Sequence, residues 1–134
     1  MNSPREHGRA LLARAEDDLY VVRRLRTDAD APRWVLGFHA QQAVEKALKA
    51  VLSGAGQAYP RTHNLVMLVE LLRGTGIELP PDADALGNLT PYGVVLRYED
   101  MLVDAPPPAD PAEYEAVVTR TLSWAQVRLN QKLD

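Results

Sequence analysis

The sequence has no cysteine among its 134 residues, which excludes disulfides, thiolate metal sites and cysteine nucleophiles. It also has no run of eighteen apolar residues, and charged side chains interrupt the first twenty-five positions, where a signal peptide needs an apolar stretch. We therefore expect a cytoplasmic protein that makes no contact with a membrane. At 46% hydrophobic residues, the length fits a single domain over residues 1–134.

An excess of charge of one sign is also nearly absent, because the formal net charge is only −3. The charges are nevertheless unevenly distributed along the chain. Residues 33–73 carry five basic and two acidic side chains, whereas residues 74–118 carry one basic and nine acidic ones. A net charge of −3 is not that of a protein that coats nucleic acid. The uneven distribution keeps two alternatives open, a local RNA or nucleotide site and ordinary solvated helix faces.

The ten prolines lie between the periodic segments or in what would be their first turns, which favours an all-α protein. No segment shows the apolar alternation of a strand. Five helices are predicted. The first begins at Ser3, which forms a capping box with Glu6, and the second is capped by Asp30 and runs to Gly54. The third begins at Leu65, the fourth begins at Thr90-Pro91 and runs to about Tyr98, and the last is capped by Asp110. Short loops then predict an up-and-down bundle of four to five helices.

The second predicted helix has one broad apolar face. Its members are Trp34, Phe38, Val44, Leu48, Val51 and Leu52, which are expected in the core. Gln41 and Glu45 project from the middle of this face and need hydrogen-bond partners, with Arg97 or a tyrosine hydroxyl as candidates. One interpretation is a buried polar pair that fixes the register of the bundle, and the other is a catalytic carboxylate with a raised pKa.

Two further arcs of the same helix have a distinct chemistry. The first consists of Ala40, Ala43, Ala47 and Ala50, a small-residue stripe that suits either packing within the chain or a dimer seam. The second consists of His39, Gln42, Lys46 and Lys49, a polar ridge that suits either solvent or contact with a nucleotide or an RNA backbone. Arg97 is a further candidate for such contact.

The sequence contains little that supports metal or cofactor chemistry, so we expect no metal and no cofactor. No Glu-x-x-His pair is present for a carboxylate-bridged metal site, and three scattered histidines do not predict zinc. Metal-free RNA cleavage requires at least an acid or base and a cation, which Arg33 with His39, or Arg61 with His63, would supply. Arg33 and His39 point about 120° apart on a helix, and His63 is alternatively a helix cap.

Several blocks of the sequence occur together in an order that carries a resemblance. They are residues 38–50 (FHAQQAVEKALKA), residues 61–65 (RTHNL), residues 89–92 (LTPY) and Arg97-Tyr98. With this spacing, the chain resembles the HEPN domain family from about residue 10 to residue 130. The resemblance implies a bundle of four or five helices, usually dimeric, in the cytoplasm of prokaryotes.

The resemblance also implies a biological setting. Many HEPN proteins are encoded beside, or fused to, a minimal nucleotidyltransferase, and several such pairs behave as toxin and antitoxin. The active toxins are metal-independent ribonucleases in which an arginine is followed, after four to six residues, by a histidine late in the domain. Here Leu102, Val103 and Asp104 occupy those positions after Arg97, whereas Arg33 and His39 fit the spacing on the second helix.

Two hypotheses follow from the resemblance. The first is a dimeric HEPN protein that binds nucleotide or RNA and partners a nucleotidyltransferase, with Gln42, Lys46, Lys49 and Arg97 as contacts and little or no catalysis. The alternative is a metal-independent endoribonuclease toxin, with His39 or His63 as acid or base. Arg33 or Arg61 would then contact the phosphate.

Overall fold

The computed structural model describes residues 3–92 and 110–131. Four α-helices and one 3₁₀ helix account for most of this part of the chain, and it contains no strand. The helices are α1 (Pro4–Leu25), α2 (Arg33–Gly54), α3 (Leu65–Thr75), the 3₁₀ helix (Leu86–Tyr92) and α4 (Pro111–Asn130). The predicted all-α helical fold is confirmed.

The helix starts follow the capping signals at most positions. In α1 the Glu6 amide donates to Ser3 Oγ, and the Ser3 amide donates to Glu6 Oε2, both at 3.1 Å, so the predicted capping box is confirmed. The prediction that Asp30 caps α2 is wrong, because the helix begins after Pro32 without a side-chain cap. The Asp30 amide instead donates to Asp28 Oδ1, which closes the turn between the two helices.

The ends of α3 and the 3₁₀ helix also differ from the expectations. Asn64, not His63, caps α3, since the Met67 amide donates to Asn64 Oδ1 at 3.2 Å. Thr90 and Pro91 lie inside the 3₁₀ helix Leu86–Tyr92, so the predicted cap at Thr90 does not stand at the start of this helix. The remainder of the predicted helix up to Tyr98, with Arg97, lies outside the described residues.

The three long helices pack with α1 antiparallel to both α2 and α4. Near one end, Ser53 Oγ donates to the Pro4 carbonyl at 3.3 Å. A Cβ atom added to Gly8 would stand 2.6 Å from the Ala50 carbonyl oxygen, so glycine is what allows α1 and α2 to approach so closely. At the other end of α1, the Arg26 guanidinium pairs with Glu115 of α4 at 2.7 Å.

The apolar faces of the helices meet in one core. The alanine stripe of α2 (Ala40, Ala43, Ala47 and Ala50) is wholly buried within the single chain, which favours packing within the chain over a dimer seam. Trp34 is a correction to the predicted core, because 44% of its surface is exposed. It lies in the first turn of α2, before the buried part of the helix begins at Leu36. None of the described helices has the length and apolar character that a membrane crossing requires.

Candidate functional site

The polar ridge of α2 forms one partly buried strip on the surface of the bundle. His39, Gln42, Lys46 and Lys49 are its members, and we call them the α2 strip. All four fall within one arc of the helix, since successive residues are about 100° apart. They lie between α1 on one side and the connection from α2 to α3 on the other. A buried carboxylate approaches the strip at each of its two edges.

The first edge is organised by Asp18 of α1, whose side chain is only 11% exposed. His39 Nδ1 donates to Asp18 Oδ1 at 2.9 Å, and the Lys46 ammonium donates to Asp18 Oδ2. We call these three residues the Asp18 cluster. Because His39 and Lys46 are seven residues apart, they lie two turns apart on the same side of α2 and share one carboxylate.

The second edge is organised by Glu45 of α2, whose side chain is 7% exposed. His63, from the connection before α3, donates through Nδ1 to Glu45 Oε1 at 2.8 Å. Lys49, one helical turn further on, donates to Glu45 Oε2 at 3.1 Å. We call these three residues the Glu45 cluster. It repeats the chemistry of the Asp18 cluster, with one carboxylate, one histidine and one lysine.

Two amides connect the strip to the Glu45 cluster. Gln42 donates to Gln41 Oε1 at 2.8 Å, and Gln41 donates to Glu45 Oε1 at 3.0 Å and to the His63 carbonyl at 3.1 Å. Gln41 is wholly buried and Glu45 nearly so. Their polar groups therefore find partners on α2 and in the α2–α3 connection, which is where a buried amide and carboxylate need them.

These contacts set the ionisation of the buried carboxylate. Burial raises the pKa of Glu45, but hydrogen bonds from Gln41, His63 and Lys49, with the charge of Lys49, lower it more in sum. The resulting pKa lies below the ordinary value of 4.5. Glu45 is thus ionised at neutral pH, which is opposite to the raised pKa of the catalytic interpretation.

Both histidines are held in the same way. An ionised carboxylate only accepts hydrogen bonds, so the Nδ1 atoms of His39 and His63 carry the protons in these contacts. In the neutral imidazole this leaves Nε2 as the basic nitrogen. The His63 side chain is 54% exposed and the His39 side chain 28% exposed, so His63 is the more accessible base. A histidine oriented by a carboxylate is suited to proton transfer.

The arginines predicted to work with these histidines are not members of the two clusters. Arg33, at the start of α2, and Arg61, in the α2–α3 connection, are both exposed. The structure pairs each histidine with a carboxylate instead of the neighbouring arginine. Arg97 lies outside the described residues.

Two residues of the site were missed in the sequence. Asp18 could have been found, since it lies on the same face of α1 as the buried Ala15 and Val22 and therefore places a carboxylate in an apolar stripe. Tyr59 gives no comparable signal, because it lies in an irregular connection. Its ring receives the Lys49 ammonium at 5.7 Å from the ring centre, which is within the range of a cation–π contact.

The clusters do not form a metal centre. Within residues 3–92 and 110–131, no three histidine, aspartate or glutamate side chains come together in a way that would hold a metal ion. The chemistry that the strip offers is that of ammonium groups, imidazoles and amides. Such groups donate hydrogen bonds to phosphate oxygens and transfer protons near neutral pH.

Comparison with known families gives one result that covers most of the chain. The HEPN domain family matches residues 9–122, which include both clusters and the whole of the α2 strip. Comparisons with curated proteins and with solved structures gave no match. HEPN domains are helical, in agreement with the fold, and the family points to a function related to nucleotides or RNA. On the extent of this match, the chain belongs to the HEPN domain family.

Proposed function

We propose that this protein binds the phosphates of RNA or of nucleotides through the α2 strip, with Lys46 and Lys49 as direct contacts. The observation that carries the proposal is that two ammonium groups on one face are each held by a buried carboxylate. An ammonium has three N–H donors, so an ion pair with a carboxylate leaves others for a phosphate. Gln42, one helical turn before Lys46, adds an amide to the same face.

The test is binding of a fluorescent single-stranded RNA by anisotropy, in EDTA and at low salt. We expect Lys46→Gln and Lys49→Gln each to weaken binding about threefold to tenfold, and to reduce its salt dependence by about one counterion. Arg73→Gln is the matched control, since it removes one exposed positive charge from α3, outside the strip. Equal losses in all three variants would mean that net charge, and not the strip, drives binding.

We also propose that the protein is a homodimer that partners a minimal nucleotidyltransferase in a toxin–antitoxin-like pair. The support for this part is membership of the HEPN family, in which dimers are frequent. Light scattering of the purified protein should give the mass of two chains. A nucleotidyltransferase reading frame beside the gene, and its co-purification with this chain, would support the pairing, and their absence would contradict it.

A second candidate function is that of a metal-independent endoribonuclease. It is favoured by the carboxylate-held histidines, each of which keeps Nε2 for proton transfer. One imidazole would take the proton of a ribose 2′-hydroxyl, which attacks the phosphorus, while a protonated group gives a proton to the leaving 5′-oxygen. Arg33 or Arg61 would stabilise the phosphorane charge.

This second function is tested by incubating RNA with the protein in EDTA. Loss of cleavage in His39→Ala or His63→Ala, with retention in Arg73→Gln, would support catalysis and identify the histidine involved. Arg73→Gln is the control because Arg73 is an exposed cation of α3 that pairs with Glu70, outside both clusters. Intact RNA with the unaltered protein would exclude the ribonuclease and leave the binding function in place.

A further inference from the structure

Asp18 is an anion of the protein itself that contacts one edge of the α2 strip. Its Oδ1 accepts from His39 Nδ1 at 2.9 Å, and its Oδ2 accepts from the Lys46 ammonium. A phosphate bound to Lys46 would draw on the same ammonium as this carboxylate. Two anions that share one cation lie within a few ångströms of each other, and their like charges repel. Asp18 therefore opposes the binding of a second anion at this edge of the strip.

Within the part of the chain that the structure describes, Asp18 receives hydrogen bonds only from the strip, through His39 and Lys46. The carboxylate is nearly buried, and Ala15 and Val22 on the same face of α1 are in the core. A buried carboxylate that loses its donors is strongly destabilised, because neither water nor protein then satisfies its charge. A ligand that draws Lys46 away thus leaves α1 with a poorly compensated charge against α2.

The carboxylate at the other edge of the strip is placed differently. Glu45 lies on α2 itself and is held by the buried Gln41 as well as by His63. A ligand that takes Lys49 leaves the Gln41 donor in place on the same helix. Asp18, in contrast, belongs to a different helix from its donors. Competition for Lys46 therefore acts on the packing of α1 against α2.

We propose that Asp18 is an autoinhibitory side chain, which occupies Lys46 and His39 as an internal anion and gives them up when phosphate binds to the strip. The inference rests on the proposed phosphate binding by the α2 strip and adds its regulation. Linkage makes the effect reciprocal, so Asp18 weakens phosphate binding and bound phosphate loosens α1 from α2. The packing of α1 thus responds to whether the strip is occupied.

The first test measures the affinity of the full chain for inorganic tripolyphosphate and for a fluorescent single-stranded RNA at low salt. Asp18→Asn removes the internal anion and keeps the size of the side chain. It should bind the two probes about fivefold to fiftyfold more tightly than the unaltered protein does. The probe with the higher affinity shows whether a free polyphosphate or an RNA backbone is the preferred source of the phosphate.

Asp17→Asn is the matched control for the affinity measurement. It removes the same charge from the neighbouring position of α1, where the carboxylate is 73% exposed and pairs with Arg14. Because water and salt screen an exposed charge, its affinity for both probes should change less than about twofold. An equal gain in the two variants would mean that net charge, and not the contacts of Asp18, sets the affinity, and it would overturn the proposal.

The second test is hydrogen exchange of the unaltered protein, which does not require Asp18→Asn to fold. Saturating tripolyphosphate should make the α1 amides around Asp18 exchange about threefold or more faster, because this part of the helix loses its polar contacts with α2. The same acceleration is expected in Asp17→Asn, and none in Asp18→Asn. Circular dichroism shows whether each variant is folded.

Two results would overturn the autoinhibitory role and leave the phosphate site standing. One is an affinity of folded Asp18→Asn that equals or falls below that of the unaltered protein. The other is exchange of the α1 amides that stays the same or slows when tripolyphosphate binds. If neither the unaltered protein nor Asp18→Asn binds tripolyphosphate or RNA, the proposed function itself is overturned, and its regulation with it.

Discussion

The Asp18 cluster and the Glu45 cluster contain the same three kinds of side chain in different settings. Asp18 comes from α1 and binds two residues of α2, so its contacts join the two longest helices. Glu45 comes from α2 itself and binds His63, which lies in an irregular connection. One chemistry thus serves two purposes, helix packing in the first cluster and the orientation of an accessible imidazole in the second.

The difference in burial follows from these settings. His39 lies on a helix packed beside α1, and its side chain is 28% exposed, whereas the His63 side chain is 54% exposed. Conversely, the carboxylate of Glu45 is the more deeply buried of the two, and it accepts hydrogen bonds from three side chains. We therefore expect stability to depend most on Glu45, and accessible proton transfer to depend most on His63.

The largest effect expected is that of Glu45→Gln. The amide brings donors toward the donor groups of Gln41 and His63 and removes the charge that Lys49 needs, which should cost about 2 to 4 kcal/mol of unfolding free energy. Urea denaturation measures this loss. Glu70→Gln, the same change at an exposed carboxylate paired with Arg73, should stay within about 0.5 kcal/mol.

A smaller loss, about 1 to 2 kcal/mol, is expected for Asp18→Asn. The asparagine keeps one oxygen that can accept from His39 or Lys46, and both partners have enough exposure to reach water. The same urea denaturation gives the value. A loss as large as that of Glu45→Gln would mean that the Asp18 cluster, in spite of its greater exposure, is the more important for stability.

Lowering the pH tests specifically how much the ionised Glu45 side chain stabilises the fold. Because the pKa of Glu45 is lowered in the folded protein, its ionised form stabilises the fold above the ordinary value of 4.5, and this contribution is lost as the pH falls through the folded pKa. The difference in stability between the unaltered protein and Glu45→Gln should therefore shrink below pH 4.5. A difference that stays constant into acid would show that folding does not lower the pKa of Glu45.

The smallest effects are expected from the histidines. His39→Ala should cost about 1 kcal/mol, since it removes a partly buried ring that also packs against Phe38. His63→Ala should cost about 0.5 kcal/mol or less, because more than half of that side chain is exposed. Thermal melting of the two variants compares the two losses of stability. A larger loss for His63→Ala than for His39→Ala would contradict the division of roles between the clusters.

The helices and the fold class were predictable from local signals. Ser3 with Glu6 marked the start of α1, and the positions of the prolines marked the gaps between helices, because capping and backbone sterics act within a few residues. The predicted cap at Asp30 was wrong for an equally local reason. The Asp30 amide is used within the turn, and α2 begins only after Pro32. The prediction that Trp34 lies in the core was wrong for a different reason, because its exposure depends on where the neighbouring helices pack.

The candidate site was predictable in part. The periodicity of α2 placed His39, Lys46 and Lys49 on one polar ridge, because a helix fixes the angles between its own residues. The partners of that ridge could not be read in the same way. Asp18 is twenty-eight residues from Lys46 in the sequence, and His63 reaches Glu45 from a connection without periodicity.

The sequence by itself thus determined a helical HEPN chain without cysteine, with a ridge of histidine, amide and lysine side chains along α2. Only the tertiary structure decided that this ridge lies between two buried carboxylates, and that the Tyr59 ring receives the Lys49 ammonium. The physical reason is that capping and helical periodicity are local, whereas ion pairs between helices depend on how distant segments pack.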